Sequence, residues 1–250
     1  MEQRYFFELS YNGKSYAGWQ IQPEAITVQE TIQQAVSKLF SNQTIKVVGC
    51  GRTDAGVHAT NYFLHIDLTN AFSEEQLSYK LNKILPADIA IHRVFKVKSD
   101  AHARFDAVSR TYTYKISTSK NPFTTDFYWY YPLELDLDLM NEAAKYLIGK
   151  KDFTSFSKLH TDVKTNICEV TEASWERSDM GNIYFKISAN RFLRNMVRAV
   201  VGTLVEVGRG KIMPDDVQQI LLAKDRSAAG TSAPAHGLYL SEVGYKYIDK

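Results

Sequence analysis

Residues 45–67 read IKVVGCGRTDAGVHATNYFLHID, and this stretch decides how the first half of the chain folds. Its two ends, Ile45–Cys50 and Tyr62–Asp67, are rich in β-branched and aromatic residues and are predicted strands. Where the first strand ends, a Gly-rich stretch begins, with glycines at 49, 51 and 56, which is typical of a backbone that turns sharply or closely approaches a ligand. Two strands therefore follow each other with no helix between them.

Helices and further strands are predicted on both sides of this pair. Arg4–Ser10 alternates like a strand, and Thr27–Glu30 has the form of a capping box at a helix start. A second capping box at Ser73–Gln76 begins a helix that Pro86 ends, and Ile89–Val97 is another strand. Apolar residues recur at helical spacing: Val28, Ile32, Ala35, Val36, Leu39 and Phe40 in the first helix, Leu77, Leu81, Ile84 and Leu85 in the second. The order β-α-β-β-α-β is that of a ferredoxin-like unit.

The second half of the chain repeats this theme less regularly. Its predicted strands are Arg110–Ser117, Ile167–Trp175, Ile183–Ser188 and Leu238–Tyr245. Its predicted helices are Leu139–Ile148 with Gly149 as C-cap, Phe192–Val207, and Pro214–Ala223. The sequence thus predicts an α+β fold of two ferredoxin-like halves with mostly antiparallel sheets, and domains spanning residues 1–106 and 107–250.

Composition limits the class of protein. With 250 residues, 44% of them hydrophobic, the chain is long enough for one large domain or two smaller ones. The first residues lack the apolar run of a signal peptide and no later run is long enough to span a membrane, so we expect a cytoplasmic protein. Cys50 and Cys168 are the only cysteines, and they lack the spacing of a zinc site. The net charge is only +2, so any affinity for nucleic acid must come from local clusters of Arg and Lys.

The loop at residues 49–59 is the richest in chemistry, because Arg52, Thr53 and Asp54 lie together between its glycines. A phosphate-binding loop would need a Lys that this segment lacks, and a dinucleotide fingerprint would need its third glycine two positions earlier. A tight surface turn, in which Asp and Thr bond their own backbone, has the same composition. The residues alone leave the surface turn and a functional loop both open.

The residues at 51–59, Gly-Arg-Thr-Asp-Ala-Gly-Val-His-Ala, resemble the active-site motif of the tRNA pseudouridine synthase A family. Further resemblances follow in order along nearly the whole chain: Tyr11–Gly13 with Gly18–Gln20 and Gln22, His102–Phe105, Arg110–Tyr114, Asp152–Phe156, Phe192–Arg198 with Val201–Gly202, and Ala233–Pro234 with Gly237–Leu240. Departures from the family pattern occur at Asn12, Ala101, Asp106 and Ala235. None lies in the Asp54 motif, so they bear on substrate preference rather than on activity.

The resemblance implies an isomerase that converts uridine to pseudouridine in the anticodon stem-loop of tRNA, at positions 38, 39 and 40, in a central RNA-binding cleft. The N1–C1′ bond of uridine breaks and the uracil rejoins through C5, without cofactor or metal. It implies that Asp54 is the catalytic carboxylate, since an anion stabilises the positive charge that develops on the sugar. Attack on C1′, addition to the uracil ring and removal of a sugar proton all remain open as its role.

Other residues take roles from the same resemblance. Arg198 matches the basic residue expected to keep Asp54 ionised, and Tyr112 matches a residue that stacks on the uracil or helps remove the C5 proton. Residues expected to bind substrate are Arg52, Tyr112, Arg104, Arg110, Arg194 and Leu238. Arg52 either helps extrude the base or clamps a phosphate. The family acts as a homodimer on tRNA, so the same assembly is expected here.

Local basic clusters are expected to bind the RNA backbone. Arg191, Arg194 and Arg198 are spaced to share one face of the predicted helix, and Lys158, His160, Lys164 and Arg209 add charge. Two other classes compete with an isomerase. A non-catalytic RNA-recognition domain would need stacking aromatics on neighbouring strands rather than an Arg-Thr-Asp loop. A phosphoryl-transfer enzyme would need a Lys and a metal-binding carboxylate near that loop.

Overall fold

The computed structural model describes residues 2–69, 72–158 and 164–248, and it is a mixed α+β structure. Within these ranges the chain forms ten strands, mostly antiparallel, and five α-helices. It divides into two compact units. The first unit contains the chain up to Val108 together with the residues from Leu240 onward, and the second is Ser109–Tyr239. The division into domains at residues 1–106 and 107–250 stays a prediction.

The first unit follows the predicted order of elements. These are β1 (Gln3–Tyr11), α1 (Val28–Leu39), β2 (Val48–Gly49), β3 (His58–Leu68), α2 (Glu74–Ile84) and β4 (Ile89–Lys96), joined by the part of β10 (Leu238–Tyr245) from Leu240 onward. The strand order is β4-β1-β3-β10, and β2 pairs with β3. Because β1 runs antiparallel to both β3 and β4, the sheet places the start of β3 beside the end of β1, where Tyr11 lies opposite Ala59.

Local sequence signals explain where the two helices of the first unit begin. The hydroxyl of Thr27 accepts a hydrogen bond from the amide of Glu30 at 3.3 Å. Ser73 and Gln76 form a full capping box, in which each side chain binds the other residue's amide. The predicted helix starts are therefore confirmed, and α1 buries Val28, Ile32, Ala35 and Val36 as its apolar stripe requires.

The second unit combines mostly antiparallel strands with helices. Its elements are β5 (Ala107–Ser117), β6 (Trp129–Tyr130), α3 (Leu137–Lys145), β7 (Gly149–Asp152), β8 (Ile167–Arg177), β9 (Ile183–Ala189), α4 (Met196–Gly208) and α5 (Asp216–Ala223). The strand order is β5-β9-β8-β7, while β6 runs parallel to β5. The predicted pair of strands at 167–175 and 183–188 is confirmed as β8 and β9. Helix α4 is apolar and almost wholly buried, so it forms much of this unit's core.

Two predicted elements have wrong boundaries in the loops that concern function. The predicted strand Ile45–Cys50 is only Val48–Gly49, because the backbone of Val47 hydrogen-bonds to glutamine side chains of α1 instead of to a strand. The predicted helix from Phe192 begins at Met196, since Asn195 adopts a left-handed conformation with φ 66°. Arg191 and Arg194 therefore precede the helix, and the expectation that they share a helical face with Arg198 is wrong.

The end of α3 also differs from the prediction. Tyr146, not Gly149, caps this helix. Gly149 has a φ of 98° and is the first residue of β7. Its positive φ therefore belongs to the turn that enters this strand, and not to the end of α3. No helix among the described residues is long and apolar enough to cross a membrane.

Candidate active site

The loop that carries Asp54 connects β2 to β3 in the first unit. It continues the strand pairing for one residue, because the amide of Cys50 donates to the carbonyl oxygen of Phe63 at 2.8 Å. At its far end the amide of Val57 donates to the carbonyl oxygen of Asp54 at 3.2 Å, which closes a four-residue turn. Gly56 has a φ of 76°, the positive angle that a type II turn requires at its third residue. Asp54 thus begins a tight turn, with its side chain half-buried and that of Arg52 exposed.

The loop near the start of the chain packs against the back of this turn. The amide of Trp19 donates to the carbonyl oxygen of Thr53 at 3.2 Å, and the amide of Gly56 donates to the backbone carbonyl oxygen of Tyr16 at 3.2 Å. Gly18 has a φ of 94°, and a Cβ added there would lie 2.4 Å from the carbonyl oxygen of Thr53. Glycine is therefore required at position 18, and two of the motifs singled out in the sequence form one structural unit.

Three aromatic rings lie against the Asp54 loop. The rings of Trp19 and Tyr62 stack at 4.1 Å between centroids, and Tyr11 meets Tyr62 edge-on at 5.5 Å. The hydroxyl of Tyr11 bonds to that of Thr53 at 2.9 Å, and Tyr62 donates to the carbonyl oxygen of Gly51 at 2.6 Å. Thr53 is buried and binds a neighbouring strand, unlike the threonine of a self-bonded surface turn. Sequence reasoning missed Tyr62, whose only signal is its place on the strand that leaves the loop.

In the second unit, Arg198 lies half-buried near the start of α4. Its Nε donates to the carbonyl oxygen of Ala233 at 2.7 Å, so this arginine is not a freely solvated surface cation. Tyr114 donates its hydroxyl to the adjacent carbonyl of Pro234 at 2.8 Å. Burial raises the pKa of Tyr114 well above its ordinary value, and the charge of Arg198 opposes that rise. Arg198 and Tyr114 therefore bind adjacent carbonyl groups of the same segment, at Ala233 and Pro234.

The segment around Ala233 is itself held firmly. Arg226 donates to the hydroxyl of Ser232 at 3.0 Å, and the side-chain amide of Asn195 donates to the same hydroxyl at 2.7 Å. A Cβ added at Gly202 of α4 would lie 1.8 Å from the carbonyl oxygen of Thr231, so the segment runs directly against the helix. These contacts fix the carbonyl that orients Arg198.

Tyr112 occupies β5, opposite Ile187 of β9. Its side chain is half-buried, and its ring meets that of Phe192 edge-on, with centroids 5.1 Å apart and planes at 89°. Tyr114, two residues further along the same face, is fully buried. Tyr112 therefore lies where this face of the strand passes from the core toward the surface, with Phe192 fixing one edge of its ring.

The remaining predicted substrate-binding residues differ in exposure. Arg104 of the first unit and Arg194 of the second are exposed, and Arg110 donates to the carbonyl oxygen of Asn190 at 3.1 Å. Leu238 begins β10 and is buried. Asp54, Arg52 and Arg104 belong to the first unit, and the other predicted site residues belong to the second. His160 lies outside the described residues.

Cys50 and Cys168 are both buried thiols that form no disulfide bond. Burial raises the pKa of Cys168 to about 11, which keeps it as an unreactive thiol at neutral pH. Among the described residues, no group of three or more His, Cys, Asp or Glu side chains is placed to hold a metal ion.

Comparison with known proteins gives the same family as the sequence motifs. A sequence model for tRNA pseudouridine synthase matches residues 9–106 and 143–246, which is well over half of the chain. The chain belongs to the tRNA pseudouridine synthase family. Asp54 of the first unit and Arg198 of the second both lie in the matched ranges. The predicted family is confirmed, and with it the predicted enzyme class, a tRNA-modifying isomerase.

Individual members of the synthase family are similar over nearly their whole length. A Porphyromonas gingivalis protein is 53% identical over 245 residues, which cover 97% of this chain and 97% of the relative. A Parabacteroides distasonis protein is 51% identical over 245 residues, covering 97% and 96%. A Bacillus subtilis protein is 42% identical over 240 residues, covering 95% and 97%. Each of the three is named tRNA pseudouridine synthase A.

Proposed function

We propose that this chain isomerises uridine to pseudouridine in the anticodon stem-loop of tRNA, at positions 38, 39 and 40, with Asp54 as the catalytic carboxylate. The observation that carries the proposal is the Asp54 loop. It lies in the region matched by the family, it turns tightly at Asp54, and its backbone is bound from behind by two other segments. A half-buried carboxylate on a fixed backbone suits chemistry that depends on position.

The reaction is an internal transfer. The N1–C1′ bond breaks, a C5–C1′ bond forms, and the proton of C5 leaves while N1 gains one. No electrons enter or leave, so the chain's own residues bind the nucleotide, stabilise charge and move protons. An aspartate serves this reaction by attacking C1′, by adding to the uracil ring, or by removing a sugar proton to give a glycal. In each route it must be ionised when the substrate is bound.

We assign Arg198 as the cation that keeps Asp54 ionised. A carboxylate removed from water tends to be protonated, and an adjacent guanidinium reverses that tendency. The contact from Nε to Ala233 sets the direction of the planar guanidinium, whose other N–H groups we assign to the carboxylate. This assignment places the active site in a central cleft between two ferredoxin-like halves. The β-α-β-β-α-β order of elements supports a ferredoxin-like fold for the first half.

The remaining assignments concern the RNA. A uridine in a stem must leave the stack before its sugar is reached, and we assign exposed Arg52 to that step or to the neighbouring phosphate. Tyr112 stacks on the flipped uracil or assists the loss of the C5 proton, and Leu238 contributes an apolar contact. Arg104, Arg110 and Arg194 bind phosphates and 2′-hydroxyls. A homodimer acting on tRNA in the cytoplasm is part of the same proposal.

The test measures tritium release from tRNA labelled at C5 of uridine. The wild-type protein should release tritium, and Asp54→Asn should release none while it still folds and binds tRNA. Circular dichroism and a filter-binding measurement provide the two controls. Absence of release from unmodified tRNA, with a folded and tightly binding wild-type protein, would leave only a non-catalytic RNA-binding protein and overturn the proposal.

A further inference from the structure

Two tyrosine hydroxyls hold the segment that leads into Asp54. Tyr62 of β3 donates to the carbonyl oxygen of Gly51 at 2.6 Å, and Tyr11 at the end of β1 bonds to the hydroxyl of Thr53 at 2.9 Å. The two anchored residues flank Arg52, and Thr53 immediately precedes Asp54. The contacts therefore lie within three residues of the proposed catalytic carboxylate.

Both tyrosines are buried in a rigid setting. Tyr62 is 0% exposed and Tyr11 is 4% exposed, so water cannot readily replace either hydroxyl as a partner of the loop. Trp19 stacks on the Tyr62 ring, and a Cβ added at Gly49 would lie 2.2 Å from the Tyr62 hydroxyl. Glycine at position 49 thus leaves the space that this hydroxyl occupies.

Core packing alone accounts for the rings but not for the hydroxyls. A phenylalanine fills nearly the same volume, and a buried hydroxyl is unfavourable unless it finds a partner. In both tyrosines the hydroxyl contacts the same three-residue segment, 51–53, from two different strands. The other side of the loop is held by the amide of Trp19, which donates to the carbonyl oxygen of Thr53, and by the carbonyl oxygen of Tyr16, which accepts from the amide of Gly56. The hydroxyls therefore complete a clamp around the backbone of the loop.

We propose that Tyr11 and Tyr62 are positioning residues that set the orientation of Asp54 through the side-chain hydroxyl of Thr53 and the backbone carbonyl of Gly51. This inference rests on the proposed function, in which Asp54 is catalytic. Neither hydroxyl needs to touch the substrate. A displacement of a reacting group by about 1 Å lowers a rate by up to roughly 100-fold, so small movements of this loop are sufficient for a large effect.

The test variants remove a side-chain hydroxyl and keep the rest of the side chain close to its original size and shape. Tyr62→Phe and Tyr11→Phe preserve the ring stack, and Thr53→Val removes the partner hydroxyl of Tyr11 while Thr53→Ser retains it. The matched control is Tyr245→Phe, because Tyr245 is also buried in the first unit and donates its hydroxyl to a backbone carbonyl, that of Ala103, outside the Asp54 loop. The control removes a similar hydrogen bond without touching the clamp.

Each variant is assayed by the single-turnover rate of tritium release at saturating protein, together with the Kd for tRNA and the stability to urea. We expect Tyr62→Phe, Tyr11→Phe and Thr53→Val to lower the rate by about 10- to 100-fold with an unchanged Kd. Thr53→Ser should recover most of the rate, and Tyr245→Phe should match the wild type in rate while losing a similar amount of stability.

Two results would overturn the inference while leaving the function intact. One is a wild-type rate in both tyrosine variants, and the other is a rate that falls only in proportion to lost stability or affinity. If Tyr62→Phe does not fold, the comparison of Thr53→Val with Thr53→Ser decides, since equal rates in those two variants would contradict the role of the hydroxyl. An inactive wild-type protein would instead contradict the proposed function itself.

Discussion

Arg198 and Ala233 are joined by two hydrogen bonds in opposite directions. The Nε of Arg198 donates to the carbonyl oxygen of Ala233 at 2.7 Å, and the amide of Ala233 donates to the carbonyl oxygen of Arg198 at 2.9 Å. The backbone pair fixes the distance between α4 and residues 231–234, and the side-chain bond fixes the plane of the guanidinium. An ion-pairing role for Arg198 therefore depends on a segment that lies 35 residues later in the chain.

Replacing Arg198 with lysine should retain the positive charge and lose the planar set of N–H donors. A lysine has no Nε–H in a planar fork, so it cannot bind Ala233 and a carboxylate in the same fixed plane. We expect Arg198→Lys to lower the single-turnover rate of tritium release by roughly 100-fold, the scale on which one fixed donor matters in an active site. Arg177→Lys is the matched control, because Arg177 is an exposed arginine that donates to the carbonyl of Gly181. A wild-type rate in Arg198→Lys would contradict this role.

Gly18 should tolerate no side chain, because it combines a positive φ with close contact to the Asp54 loop. We expect Gly18→Ala to lower the free energy of unfolding by roughly 2–4 kcal/mol, from backbone strain and overpacking together. Gly149 has a similar φ of 98° but no atom within 4 Å of an added Cβ. Gly149→Ala should therefore lose only about 1–2 kcal/mol. Equal losses in the two variants, measured by urea unfolding, would show that the contact with Thr53 does not affect the free energy of unfolding.

The parts of the fold that depend on neighbouring residues could be predicted from the sequence. The capping box of Ser73 and Gln76 lies within four residues, so the sequence contains both partners of the interaction that begins α2. Strand β10 is likewise predicted at its observed bounds from its own residues. Those residues do not indicate which strand lies beside it, and the placement of residues from Leu240 in the first unit is visible only in the structure.

The predictions that were wrong or missing concern contacts between residues that lie far apart in the chain. Phe192–Asn195 is compatible with a helix, yet Asn195 is left-handed and its side chain bonds to Ser232, 37 residues later. In the same way the sequence singled out Asp54 by its motif but gave no sign that Tyr62 binds the backbone of its loop. A motif singles out a candidate such as Asp54, whereas the residues that hold its loop are found from contacts across the sheet.

Arg194 should contribute to RNA binding through charge. Its side chain is exposed, and it lies in the segment between β9 and α4 rather than on the helix. If it neutralises one phosphate, Arg194→Ala should reduce the slope of log Kd against log salt concentration by about 0.7–0.9. Arg177→Ala removes an exposed arginine of the same unit and should leave the slope unchanged. Identical slopes for wild type and Arg194→Ala would remove this residue from the RNA-binding surface.

His65 should make the stability of the protein depend on pH. Burial, reinforced by the charge of Arg4, lowers the pKa of His65 from 6.5 to about 4 in the folded protein. The unfolded chain therefore binds the extra proton more readily, so the folded state loses stability as pH falls from 6.5 toward 4. Allowing for solvent screening, we expect a loss of roughly 1–2 kcal/mol between pH 7 and pH 5.

The variant His65→Asn isolates this effect. The Nδ1 of His65 accepts a hydrogen bond from the amide of Ala103 at 3.1 Å, and the side-chain oxygen of asparagine preserves an acceptor that does not titrate. The stability of His65→Asn, measured by urea unfolding at several pH values, should fall less steeply between pH 7 and pH 5 than that of the wild type. Carboxylates that titrate near the lower end of this range are present in both proteins, so their contribution cancels in the difference. Parallel curves would mean that His65 is protonated equally readily in the folded and unfolded states.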